Sequence, residues 1–434
     1  MKRIFIYNFL NAFQIFLGFI FQMLFARYFG ASLFTDAYFV SMTILGFVST
    51  VGQFFTEMFM QYYNDIRVEA HSEAKKFYQS VFNFSLLISI VSFIIAVAFM
   101  SPLLKIFVSG FDAERIRALR SFFSILAFNL IWARLIALNN SLINAEMRFM
   151  VPYLIGLLTP AFNIIFLLLF AKDYGINAIA VSILLSGIAG LALQQFYISR
   201  LLDIGFGTKF WHSKFKDLIK KSFSMRLGHQ IWTLKDPITT NILSHFPTGT
   251  VSLYFYAFRI ISVLFAITNS PILQIFSSKV SRLVSEVDFS GIKKLLKRTC
   301  AMNTGLFLIV LIPFAIALPE VLRFFFGNKF SPEDVKTIHY VFLALIPFHL
   351  ILSIELPFVN ITIALKQSLQ VIRVAIVFIV IFGASVFILQ NFLDVYTIPI
   401  ALMIAQTQNL VVYVLNVQKV FKENLWNVQP AVIR

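Results

Sequence analysis

The sequence predicts an all-α polytopic membrane protein of about twelve transmembrane helices, and three observations lead there. Of 434 residues 59% are hydrophobic and 13% charged, with a mean hydropathy of +0.84, whereas soluble chains carry about a quarter charged residues. The apolar stretches are continuous rather than alternating, so helices rather than barrel strands cross the roughly 30 Å bilayer core. The 36 Lys and Arg residues gather mainly between those stretches. The 53 Phe and 17 Gly exclude a disordered or collagen-like chain, and the single Cys300 excludes a disulfide or cysteine-rich metal site.

Twelve stretches approach the roughly 20 residues a spanning helix needs. They are 4–28, 36–61, 77–100, 121–142, 150–171, 176–199, 222–244, 251–280, 299–318, 337–361, 367–390 and 395–419. The first follows Met1-Lys2-Arg3 like a secretory signal, but it lacks a small-residue cleavage site and runs too long, so it is read as a span. With both termini in the cytoplasm, 23 basic residues lie in the termini and cytoplasmic loops and 9 in the external loops. That bias is the positive-inside pattern, and it accounts for the net charge of +16 without nucleic acid.

The loop after the sixth span divides the chain into a lobe at 1–200, a cytoplasmic linker at 201–221 and a lobe at 222–434, with six spans in each lobe. The lobes resemble each other. Thr35-Asp36-Ala37-Tyr38-Phe39 opens the second span as Ser252-Leu253-Tyr254-Phe255-Tyr256 opens the eighth, with Tyr38 over Tyr254 and Ile44 over Ile260. Leu104-Lys105-Ile106-Phe107 precedes the fourth span as Leu322-Arg323-Phe324-Phe325 precedes the tenth. Corresponding spans share one orientation, which makes a parallel repeat, an arrangement transporters use to place a site between halves.

Charges inside spans are costly and are read first as functional. Arg134, Ala137, Ser141, Asn144 and Ala145 share one face of the fourth span at helical spacing. In the seventh, Arg226, His229, Thr233, Asp236 and Thr240 form a stripe, Lys235 lies roughly opposite Arg226, and Pro237 is expected to kink the axis. Arg259 lies about 12 Å into the eighth span and Lys235 about 14 Å from the same side, near enough to share a site. Arg and Lys suit a phosphate-bearing passenger, and Arg134, nearer the cytoplasmic end, suits uptake. A structural alternative pairs Lys235 or Arg226 with Asp236, and Arg134 with Glu146. Glu57, Arg27 and Glu146, near span ends, read as structural, and His349 reads as a packing residue. Glu355 is open between structure and cation coupling, and Gln406, Gln408 and Asn409 between cavity lining and helix contacts.

Leu17-Gly18-Phe19, Ala26-Arg27-Tyr28-Phe29-Gly30-Ala31 and Thr35-Asp36-Ala37-Tyr38-Phe39-Val40 resemble the start of the MurJ family of lipid II flippases. Gly249-Thr250-Val251-Ser252, Tyr256-Ala257-Phe258-Arg259 and Lys279-Val280-Ser281-Arg282 are similar to that family's eighth helix and following loop, and Phe326-Gly327-Asn328-Lys329-Phe330 also matches. The resemblance implies the multidrug, oligosaccharidyl-lipid and polysaccharide exporter fold, two six-helix lobes forming a V around a cationic cavity. It also implies that Arg259 is a cavity arginine and Asp36 the acid opening the second helix. The chain departs from the family at Ile15 and Phe21, which align with its first-helix cavity arginines, and at Ser49 and Thr50, which align with its basic pair. Phe258 stands where the family has an aspartate, and twelve spans are counted where lipid II flippases usually carry two more.

The expected function is a flippase rather than an enzyme. A cavity lined by Arg259, Lys235, Arg134 and Arg226, with Ser141, Asn144 and Thr240, takes a polyprenyl-diphosphate-linked saccharide from the inner leaflet of the bacterial cytoplasmic membrane. Alternating access delivers it outside, the tail passing through lipid beside the seventh helix. Asp236, Pro237, Glu355 and Asp36 are the coupling or gating candidates. A monomer among membrane lipids is expected, with no cofactor, metal or nucleic acid. The first alternative is a cation-coupled multidrug exporter of the same fold, which would favour cavity acids. The second is a saccharide polymerase or ligase, for which Lys105, Arg115, Arg117 and Arg120 are the best support. No P-loop, zinc motif or nucleophile elbow is present.

Overall fold

The computed structural model describes residues 2–50, 54–205, 207, 209–365 and 367–423. Among them the regular structure is helical throughout. The helices are α1 (Lys2–Phe29), α2 (Leu33–Thr50), α3 (Phe54–Glu69), α4 (His71–Ala98), α5 (Met100–Phe107), α6 (Ala113–Leu126), α7 (Asn129–Ala145), α8 (Met150–Gly156) and α9 (Leu158–Tyr174). They continue as α10 (Asn177–Leu201), α11 (Phe215–Trp232), α12 (Lys235–Ser244), α13 (Thr250–Ser285), α14 (Phe289–Phe326), α15 (Pro332–Ala364), α16 (Ser368–Leu389) and α17 (Thr397–Glu423).

Ten helices are long and apolar enough to cross a bilayer, or eleven when α6 and α7, bent by 44° at their junction, make one span. The chain is therefore a multi-pass membrane protein. Eleven of the twelve expected spans are found in this way. The exception is the seventh, 222–244, which is broken into α11 and α12 at 233–234. The break precedes the kink expected at Pro237. That proline instead occupies the first turn of α12, where a missing N–H leaves no helical carbonyl unsatisfied. Prolines persist inside α13, α14 and α15, as membrane helices permit.

The structure groups the residues into two compact units. One comprises Met1–Arg226, Asp236–Ser252 and Phe325–Phe330; the other comprises Leu227–Lys235, Leu253–Phe324 and Ser331–Arg434. The segments Asp236–Ser252 and Phe325–Phe330 thus group with the first ten helices, across the boundary drawn from sequence at 201–221.

In the first unit α3, α4, α7 and α10 enclose a core of Phe59, Tyr63, Phe77, Tyr78, Leu138 and Leu142, with Phe59 and Phe77 stacked at 5.6 Å. The stretch following α10 is laid along α4: Lys75 Nζ donates to Asp203 Oδ2 at 2.8 Å, and Asn83 donates to the carbonyls of Gly207 and Lys209. Its later part is the start of α11, so the expected linker is partly helical. In the second unit Phe276, Val280, Ile292, Leu296, Ile361 and Val417 form one core cluster. His349 is a packing residue there, buried against Phe258, Phe265 and Phe348 with Nδ1 3.0 Å from Leu345 O.

The turn after α1 depends on Gly30. Its φ is +62°, its N–H closes the helix onto Ala26 O at 2.8 Å, and a Cβ would stand 3.0 Å from Lys329 O. A side chain in this left-handed conformation costs about 1–2 kcal/mol before any clash. Gly30→Ala is accordingly expected to lower the thermal unfolding midpoint in detergent. An unchanged midpoint would show that the turn adapts.

Candidate functional site

Two polar constellations of the first unit bear on function. The first lies inside the helices. Arg134 on α7 is 3% exposed, and Nη1 donates to Ser89 Oγ on α4 at 3.2 Å. Its Nε lacks a partner, and among the described residues no carboxylate pairs with it. Ser85, one turn before Ser89, is fully buried with an unsatisfied hydroxyl. Further along α7, Tyr78 donates to Asn139 Oδ1 at 2.8 Å, Gln195 donates to the Tyr78 hydroxyl, and Gln194 donates to Asn140 at 2.7 Å. This is an interior rich in hydrogen-bonding groups and holding a cation that, among the described residues, has no anion. Such an interior suits an acidic guest, because a buried charge is costly until something neutralises it.

The Arg134–Glu146 pairing does not occur. Glu146 instead bonds Arg67 at 3.0 Å and Tyr63 at 2.8 Å, securing α3 to the end of α7, the structural role expected of it. Ser141 and Asn144, expected beside Arg134, are half-buried, and the Ser141 hydroxyl donates to Ala137 O within its own helix.

The second constellation is a clasp on Asp36, at the start of α2. Its fully buried carboxylate accepts from the backbone N–H groups of Gly249 and Ser252, both at 2.8 Å, and from Ser252 Oγ at 2.5 Å. Arg115 approaches it to 3.7 Å, lies over the Phe111 ring and donates to Phe246 O. Gly249, at φ +94°, packs its backbone against Ala31, where a Cβ would meet the carbonyl oxygen at 3.1 Å. Beside it Ser109 and Gly110 bond Asn241, His245 and Ser244. One carboxylate thus fastens α2, the start of α6 and the segment entering α13.

Arg115 is therefore a structural partner of Asp36, and Arg120 bonds Ser101. The external basic cluster considered for a polymerase or ligase is in part committed to packing.

Thr240 is buried and its hydroxyl donates to the Asp236 and Pro237 carbonyls of its own helix, while Pro237 is buried and Asp236 and Arg226 are half-buried. In the second unit Lys235 is 7% exposed, its Nζ 3.8 Å from the Trp232 ring centroid, and Trp232 packs on Phe378. Arg259 is exposed on α13 and, among the described residues, has no ion-pair or hydrogen-bond partner. Glu355 is buried at 3% exposure and accepts from Gln406 Nε2 at 2.5 Å. Among the described residues no group of three or more His, Cys, Asp or Glu is placed to hold a metal ion.

Sequence reading missed the partners more than the charges. Nothing in the chain order ties Ser252, Gly249 or Arg115 to Asp36. The Ser85 and Ser89 pair, four residues apart in a greasy helix, was the available signal for the Arg134 environment. Of the departures noted above, Phe21 is 3% exposed and packs on Phe25, as part of an aromatic core.

Comparison with known proteins agrees with this architecture. A probable lipid II flippase MurJ from Buchnera aphidicola subsp. Acyrthosiphon pisum (strain APS) is 24% identical over 339 residues, 74% of this chain. The match spans 64% of that relative's length. A solved lipid II flippase MurJ in its inward closed conformation superposes with a TM-score of 0.73 at 19% identity, covering 96% of this chain and 89% of that one. An inward-facing multidrug resistance MATE family transporter of the MOP superfamily gives 0.78 at 13% identity, covering 96% of each chain. The family model described as lipid II flippase MurJ matches residues 25–432, and the chain belongs to the MurJ family.

Proposed function

We propose that this chain is a flippase that carries a polyprenyl-diphosphate-linked saccharide from the inner to the outer leaflet of the bacterial cytoplasmic membrane. Lipid II and O-antigen- or exopolysaccharide-type precursors are the substrates considered, and family membership favours lipid II. The observation that carries this reading is Arg134, a cation enclosed within a membrane-spanning helix pair with a serine for company and no carboxylate partner among the described residues. The diphosphate supplies the missing anion.

In this reading both termini are cytoplasmic, as the basic loops indicate, and the six-plus-six lobes alternate access. The Asp36 clasp then lies at the external end and keeps it shut while substrate is loaded. Release requires Gly249 and Ser252 to leave the carboxylate, so closing the gate recovers three charge-assisted hydrogen bonds. Arg134 receives the head group, and Lys235 and Arg259 hold it farther along its path. An inside-negative potential favours outward movement of an anion by about 2.3 kcal/mol per charge per 100 mV. Glu355, buried and facing Gln406, is the candidate for binding a returning cation.

Reconstituted flipping of a labelled lipid-linked saccharide tests the reading. Arg259→Ala and Lys235→Ala are each expected to slow transport roughly tenfold or more, the worth of a charge-assisted contact. Unchanged rates in both variants would overturn the cationic path.

A further inference from the structure

The first unit carries a cleft of about 590 Å³ lined by Arg27, Phe326, Gly327 and Lys329. Its size falls among ligand pockets of about 300–1,000 Å³. The walls are fixed in place. Arg27 occupies the last turn of α1, one turn before Gly30, whose backbone touches that of Lys329. Lys329 ends the short 3₁₀ turn Gly327–Lys329, which starts at a positive φ of 58° and is held at both ends by the buried rings of Phe326 and Phe330, 4.4 Å apart. No acid lines the cleft, and among the described residues neither cation has a carboxylate partner. Tyr28, Phe34 and Phe325 are exposed nearby in sequence, the aromatic fringe expected at a membrane interface.

We propose that this cleft binds the phosphate of a lipid head group. The Arg27 guanidinium presents two parallel donors to the phosphate oxygens, and Lys329 adds a compact charge. The lipid chain leaves toward the aromatic fringe. The phosphate has two possible sources, an anionic phospholipid resident in the membrane or the diphosphate of a polyprenyl carrier. Arg134, Lys235 and Arg259 are not among the residues that line this cleft.

Native mass spectrometry of the full chain, titrated separately with phosphatidylglycerol and undecaprenyl diphosphate, tests the site. Arg27→Gln and Lys329→Gln are each expected to weaken binding about fivefold, and together about twenty-five-fold, from the worth of a basic residue at an anionic surface. Arg27→Lys should retain most of the affinity, and Lys172→Gln, at the equivalent end of α9, should retain all of it. Weakening confined to phosphatidylglycerol identifies a resident phospholipid, and weakening confined to the diphosphate identifies the carrier; either supports the site. Affinities of the double variant within twofold of the unmodified chain for both lipids would overturn it. Loss of flipping in the Arg259 and Lys235 variants with this binding intact would separate the two readings.

Discussion

Asp36→Ala is expected to be the most damaging single substitution at the clasp, lowering stability by about 3–5 kcal/mol, the range for removing one partner of a buried ion pair. The carboxylate is fully buried and serves three donors besides Arg115. Its loss leaves two backbone N–H groups and a guanidinium without their anion. Arg115 Nε and Nη2 already lack hydrogen-bond partners, so the guanidinium has little other support. Adding Arg115→Met to Asp36→Ala should therefore recover part of the stability, because the orphaned cation is removed with its partner. Thermal unfolding in detergent gives the answer. An unchanged midpoint for Asp36→Ala, or no recovery in the double variant, would show that the clasp contributes little. On the proposed reading, in which the clasp is the external gate, flipping should fall as well.

Arg134→Met is expected to separate stability from transport. A buried cation without an anion is a liability to the fold, and replacing buried charges by apolar side chains of similar size often stabilises by about 1–4 kcal/mol. The variant should melt later than the unmodified protein while transport falls roughly ten- to a hundredfold, the worth of a charge-assisted hydrogen bond to the passenger. A structural arginine would do the reverse, lowering the melting midpoint and leaving the transport rate of the folded fraction intact. Both outcomes are read from one preparation.

The two arginines show why position in a helix does not settle function. Arg115 and Arg134 are both almost fully buried, at 5% and 3% exposure. From sequence Arg134 stood out as an intramembrane charge, while Arg115 belonged to a basic external stretch explained equally well by lipid phosphates. Their partners distinguish them. Arg115 meets Asp36, 79 positions away in sequence, whereas Arg134 meets only the hydroxyl of Ser89 among the described residues.

Span number and helical class were legible in the amino-acid order because hydrocarbon thickness imposes a length on every crossing and exacts a cost for each charge within it. Those constraints act on local stretches, so eleven of the twelve expected spans have a counterpart, though the second, expected at 36–61, is found at Leu33–Thr50 and the fourth as a bent pair of helices. The seventh differs because the helix ends at Trp232 and restarts at Lys235, a break that hydropathy averages away. Which residues answer Asp36, whether Arg134 meets Glu146 or a serine, and how Arg27 comes to share a cleft with Lys329 are matters of long-range packing. Apolar helix faces resemble one another too closely for sequence to rank their pairings. The choice among them is made by shape, by glycine contacts such as Gly30 on Lys329, and by the need of each buried polar group for a partner.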